Sequence, residues 1–143
     1  MIETSDKYMT DLADLERKAV TSGAKVFLLS HMRGHICDMT RLSAVCTEHG
    51  LALIEDCAHT MGAAWNGRAT GTWGRAGCFS LQSYKHANSG EGGLLVTRDP
   101  DLAAVDVQNR VNLALPQLPS AVQSQGIQVQ KKSSAFMMVL AVY

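Results

Sequence analysis

The stretch from Lys25 to Asp56 leaves the chain few folds. Lys25 to Leu29 is a short apolar run of strand length. Asp38 stands where a helix cap belongs, and Met39, Leu42, Val45 and Cys46 share one face at helical spacing. Gly50 ends that helix just before a second apolar run, Leu51 to Glu55. Strand, amphipathic helix and strand in this order form a unit whose strands lie parallel with a right-handed crossover. Parallel strands are covered on both faces, so an α/β domain with a mostly parallel sheet and flanking helices is expected. In open sheets of this kind ligands bind at the carboxyl ends of the strands. His31 and Asp56 fall at that edge. His31 reads either as lining a pocket there or as a satisfied structural histidine.

The neighbouring segments extend the pattern. Thr10 to Ser22 reads as a surface helix, with Thr10 as cap, Asp11 and Asp14 in the first turn, and Leu12, Leu15 and Ala19 on one face before Gly23. Glycines recur from Gly62 to Gly77, and Trp65-Asn66-Gly67-Arg68 has the chemistry of a tight hairpin. Arg68 and Arg75 read as surface residues, with contact to an anionic substrate as the alternative. Leu94 to Thr97 is a further buried strand.

Between these elements, Ser80 to Gly93 holds a lone lysine, Lys85, flanked by hydroxyl-bearing residues and a glycine cluster. A buried amine there loses solvation, which disfavours its charged form and makes it a nucleophile toward aldehydes. Pyridoxal 5'-phosphate is the aldehyde expected. Asp56 can pair with a protonated pyridine nitrogen, although a cap or turn aspartate is its plain alternative. His59 can reach the ring face or its phenolic oxygen, and Ser80 with nearby backbone amides can hold the phosphate. Gly90 to Gly93 lets the chain double back behind the site.

Composition narrows the field. Thirteen basic against thirteen acidic side chains in 143 residues give no electrostatic footprint for a nucleic-acid polymer. No signal peptide and no apolar run of about 18 residues is present, so a cytoplasmic chain without a membrane span is expected. His31, His35, Cys37, Cys46 and His49 lack a C-x-x-C pair or zinc-ligand spacing, and no metal site is expected. The four cysteines read as small buried thiols.

Ile54-Glu55-Asp56-Cys57-Ala58-His59-Thr60-Met61-Gly62-Ala63, Gly67-Arg68, Gly71, Gly74, Cys78-Phe79-Ser80, Lys85 and Gly90-Glu91-Gly92-Gly93 together resemble the DegT/StrS family of sugar aminotransferases over about residues 5–104. The resemblance implies a fold type I, pyridoxal phosphate-dependent large domain, present here as an internal fragment. It implies Lys85 as the Schiff-base lysine, Asp56 on the pyridine nitrogen, His59 against the cofactor and Ser80 on the phosphate. It further implies a nucleotide-linked keto sugar as amino acceptor, glutamate or glutamine as donor, and a homodimer. Because the family builds its site from additional segments and a second subunit, the chain alone is expected to be inactive.

Past Ala104 the character changes: six glutamines follow where only Gln82 precedes, and no cysteine or histidine remains. Val107 to Val122 reads as a helix kinked or split by Pro116 and Pro119, with strand-like runs at Ile127 to Gln130 and Ala135 to Tyr143. Val105-Asp106-Val107-Gln108-Asn109-Arg110-Val111, Leu115-Pro116-Gln117-Leu118-Pro119 and Gln125-Gly126-Ile127 resemble the periplasmic porter region of resistance-nodulation-division efflux transporters. The expectation is therefore a chimera joined near Asp99 to Ala104, with an aminotransferase part, 1–104, and an α+β helix-strand tail, 105–143. The alternative function is a non-catalytic fragment or a module that oligomerises through the terminal apolar strand.

Overall fold

The computed structural model describes residues 1–117, 119–125, 127, 129 and 137–141. The first helix, α1 (Leu12–Ser22), is capped by Asp11 rather than Thr10. The Asp11 carboxylate accepts from the N–H groups of Ala13 and Asp14, while Thr10 pairs with Thr4 in a short antiparallel bridge. Gly23 closes the helix at φ 65°, a left-handed conformation that glycine adopts without a Cβ clash. Then follow β1 (Val26–Ser30), a 3-10 turn (Met32–Gly34), α2 (Met39–Glu48) and β2 (Ala52–Asp56). Asp38 caps α2 by accepting from Arg41 N–H. β1 and β2 run parallel, with Ser30 opposite Asp56.

The hairpin strands β3 (Ala64–Trp65) and β4 (Arg68–Ala69) lie beside the main sheet, turning at Asn66 and Gly67, both at positive φ. That is the backbone an Asn-Gly turn favours. β5 (Ala76–Ser80) joins β2 in parallel, and β6 (Gly93–Thr97) returns antiparallel to β5. The helices α3 (Pro100–Ala114) and α4 (Ser120–Gln125) lead to β7 (Met137–Ala141), antiparallel to β6. The sheet order is β1-β2-β5-β6-β7: β1, β2 and β5 run parallel, β6 runs against them, and β7, antiparallel to β6, returns to their direction at the edge.

Helices α1 and α2 cover one face of β1 and β2. Leu15, Leu29, Met39, Leu42, Val45, Cys46, Leu51 and Leu53 form the buried core between them. The inward face of α2 is the one its spacing dictates. On the other face of β1, Val26 and Leu28 are 54% and 65% exposed, because successive strand residues point to opposite sides.

The tail differs from expectation. Asp99 accepts from the N–H groups of Asp101 and Leu102, and Pro100 occupies the first helical turn, so α3 begins seven residues before Val107. The expected boundary at residue 104 thus falls inside a continuous helix. Pro116 and Pro119 do split the helical region, into α3, a 3-10 turn (Leu115–Gln117) and α4. Ile127 and Val129 have no regular secondary structure, and Gln128 and Gln130 lie outside the described residues. Within the last apolar run, Met137–Ala141 pairs with β6, while Ala135, Phe136, Val142 and Tyr143 lie outside the described residues.

Candidate active site

Asp56, Ser80 and the end of β1 meet at one edge because the three parallel strands finish together. Ser30 lies opposite Asp56, Asp56 lies opposite Cys78, and Ser80 follows two residues later on β5. Asp56 is half-buried; its Oδ2 accepts from Ser30 Oγ at 3.0 Å and its Oδ1 from Ala58 N at 3.1 Å. Each carboxylate oxygen accepts twice at full capacity, so a further donor fits. Asp56 also shows the turn role of its plain alternative, through Ala58.

His59, half-buried, accepts at Nδ1 from the backbone N–H of Arg33 at 3.1 Å. A backbone N–H only donates, so Nδ1 acts as the acceptor and the ring proton of this tautomer sits on Nε2. Arg33 reaches this position at φ 56°, a strained backbone for a side chain with a Cβ and a feature often found near working sites. Ser80 is half-buried, and its Oγ accepts from Gln82 N at 3.4 Å.

Lys85 follows β5 in a segment folded on its own backbone. Leu81 N–H donates to Gly92 C=O, Ser89 N–H to Leu81 C=O, and Lys85 N–H to Gln82 C=O. Gly90 and Gly92 sit at φ 86° and 141°, which permits the return. The expectation of a buried amine is corrected: Lys85 is half-buried and its neighbour Tyr84 is 96% exposed. The reason is that no second layer lies over this turn among the described residues.

His31 turns inward to Glu55, but it is not the fully satisfied histidine of the plain alternative. It is buried with Nε2 3.2 Å from Glu55 Oε2, and its Nδ1 has no partner among the described residues. Glu55, which sequence reading gives no task, is wholly buried and is the centre of the region. The signal was available: period-two alternation puts Glu55 on the same side as Leu53, inside. Burial alone pushes its carboxyl up, but bonds from His31 and from the N–H groups of Gly71, Gly74 and Trp73 together hold it below the usual range. His31, Glu55 and Cys57 offer donor atoms within 4.8 Å of one another. The two Glu55 oxygens already accept four hydrogen bonds.

Burial, then the Glu55 charge, pushes the Cys57 thiol up to about 12, and burial takes Cys37 to about 11. Cys78 departs from the expectation of buried cysteines, since its β5 position turns it to the exposed side. Arg68 stacks over Trp73 at 4.4 Å and Arg75 pairs with Asp99 at 2.7 Å, so both arginines are held at the surface.

The sequence model of the DegT/DnrJ/EryC1/StrS aminotransferase family matches residues 2–136. The chain belongs to this family. The match runs through Asp99 to Ala104 without a break, so a transporter-derived tail finds no support. MosB of Rhizobium meliloti is 42% identical over 98 residues, 68% of this chain and 19% of that protein. The L-glutamine:2-deoxy-scyllo-inosose aminotransferase of Streptomyces kanamyceticus is 43% identical over 90 residues, 63% and 21% of the two chains. The crystal structure of DesI with its TDP-sugar product superposes with a TM-score of 0.68 at 34% identity, covering 85% of this chain and 31% of that one. The chain therefore spans about a fifth of the length of the curated relatives it matches. Its fold neighbours are fold type I aminotransferases, and enzymes of the family depend on pyridoxal phosphate.

Proposed function

We propose that this DegT-family chain binds pyridoxal 5'-phosphate at the carboxyl edge of β1, β2 and β5, as part of an aminotransferase acting on a ketone of a polyhydroxylated ring. The observation that carries the reading is the placement of Asp56 and Ser80 at the ends of adjacent parallel strands, with His59 and Lys85 on the connections that leave those ends. The residues fit the cofactor: Asp56 retains acceptor capacity for a ring N–H, and the hydrogen bond from Arg33 N–H engages His59 at Nδ1, leaving Nε2 as the donor nitrogen. When bound, the cofactor supplies an electron sink for the carbon that loses a proton.

Asp56 would keep the ring nitrogen protonated, and Ser80 Oγ would orient the phosphate. Lys85 Nζ would hold the cofactor and then move a proton as base and acid. Residues 1–104 carry all four groups. The named relatives favour an inosose or keto sugar as acceptor and glutamine as donor; a nucleotide link, as in the DesI product, is one form of that acceptor. The whole enzyme is proposed to act as a homodimer in the cytoplasm. Among the described residues no helix is long and apolar enough to cross a membrane. With Lys85 half-buried, this chain by itself is proposed to bind cofactor without turnover, because loosened supporting shells forfeit catalysis first.

The test is to incubate the chain with pyridoxal phosphate, reduce with borohydride and map the adduct by mass spectrometry. Labelling is expected to concentrate on Lys85, vanish there in Lys85→Ala and weaken in Asp56→Asn. Even labelling of Lys7, Lys18, Lys25, Lys131 and Lys132 would sink the reading.

A further inference from the structure

One residue before Asp56, on the opposite side of β2, stands the fully buried Glu55. A buried carboxylate is costly unless its lone pairs are met. Here Oε1 accepts from Trp73 N at 2.7 Å and Gly74 N at 2.9 Å, and Oε2 from Gly71 N at 2.8 Å and His31 Nε2 at 3.2 Å. Three of the four donors belong to one short loop, 71–74.

That loop is pressed onto the two strands that end in the candidate site. A Cβ on Gly74 would come 2.4 Å from Leu53 O of β2, and one on Gly77 of β5 would come 2.3 Å from Gly71 Cα. Arg75 N–H donates to Leu53 O at 2.8 Å. The fourth donor, His31, follows Ser30, whose hydroxyl bonds Asp56.

We infer that Glu55, held by His31, is a positioning residue of the cofactor site: it gathers the Gly71, Trp73 and Gly74 N–H groups, pins the 71–74 loop across β2 and β5, and so fixes Asp56 relative to Ser80. This rests on the reading that Asp56 and Ser80 bind pyridoxal phosphate. Only a carboxylate satisfies the geometry. A glutamine of the same shape places an NH2 group against N–H donors on one side, which costs stability in either role; a loss of pyridoxal phosphate affinity coupled to Asp56 is what sets positioning apart from packing. The depressed Glu55 carboxyl agrees with an ionised acceptor.

The experiment measures pyridoxal phosphate affinity by absorbance and Lys85 adduct yield in the whole chain, for Glu55→Gln, Asp56→Asn and the double variant. Glu55→Gln is expected to weaken binding roughly 10- to 100-fold, the size of loss when ligand-orienting partners are removed from metal sites. It should cost far less in the Asp56→Asn background, because both changes act through one contact. Hydrogen exchange at Gly71, Trp73 and Gly74 should accelerate alongside. An affinity within about twofold of the parent, or strict additivity with Asp56→Asn, overturns the inference. If Glu55→Gln does not fold, His31→Gln, which keeps a donor to Glu55, and His31→Leu, which does not, decide it: equal affinities overturn it, and loss confined to the leucine variant supports it. A parent chain that shows no preference for Lys85 sinks the cofactor reading and the inference together. A parent labelled at Lys85 with indifferent Glu55 variants sinks the inference alone.

Discussion

Two adjacent acids, Glu55 and Asp56, part company because a strand sends neighbours to opposite sides. Asp56 stays half-buried with room for another donor, whereas Glu55 is closed in and saturated. Asp14, on α1 away from the site, is likewise a carboxylate closed in by donors. The Lys18 side chain first, then Glu3 N–H, bring its carboxyl from the ordinary 3.8 down to about 2. Arg17 pairs with it as well. A carboxyl depressed in the folded state contributes stability that is present above its ordinary range and lost as pH falls toward the folded value. Melting temperature should therefore drop as pH falls from about 4 to about 2, and Asp14→Asn should flatten that limb in a thermal-melt series. A parent and variant with parallel acid limbs would rule the pairing out as a contributor.

At the level of elements, glycines differ sharply in why they are there. Gly67 is at φ 77° with open space around it, so alanine meets only backbone strain, about 1–2 kcal/mol. Gly77 lies in β5 with ordinary φ, but an added Cβ would strike backbone of the 71–74 loop. Neither side can yield without breaking the Glu55 bonds. Gly77→Ala is expected to cost about 3 kcal/mol or more, at or beyond the usual range for overpacking. Urea denaturation of the two variants checks the order, and an equal cost would show that the loop gives way freely. The hairpin glycine was legible from Asn66-Gly67, a local signal. The role of Gly77 was not, since it depends on a loop packed against it from elsewhere.

For the whole molecule, β7 is the informative strand. Composition shifts after Ala104, but glutamine-rich sequence is equally at home in an exposed helix, and α3 is mostly half-buried or exposed with only Ala103 buried. The family match to residue 136 and the pairing of β7 with β6 make the tail part of one sheet. Removing residues 137–143 leaves β6 with β5 as its remaining partner. The melting temperature should fall by about 5 °C or more, read by circular dichroism; an unchanged melt would show that β7 adds nothing to the fold. The exposed Val26 and Leu28 belong to the same picture, because parallel sheets are ordinarily covered on both faces.

The sequence by itself determined the local elements and their inward faces. Met39, Leu42, Val45 and Cys46 at helical spacing after Asp38, and two apolar runs around them, suffice for a parallel strand-helix-strand unit, because each signal is carried within a few residues. It also named the four site candidates by residue type and order. Only the tertiary structure decided which groups share the sheet edge, that Lys85 lies half-exposed on a self-bonded turn, that His31 turns inward to Glu55, and that the terminal strand joins β6. The inward turn of His31, the closure of the 71–74 loop on Glu55 and the pairing of β7 depend on contacts between residues 16 to 48 positions apart. The physical reason is burial: whether a polar side chain is a solvated surface group, a satisfied core group or a poised site group is set by what other segments bring beside it.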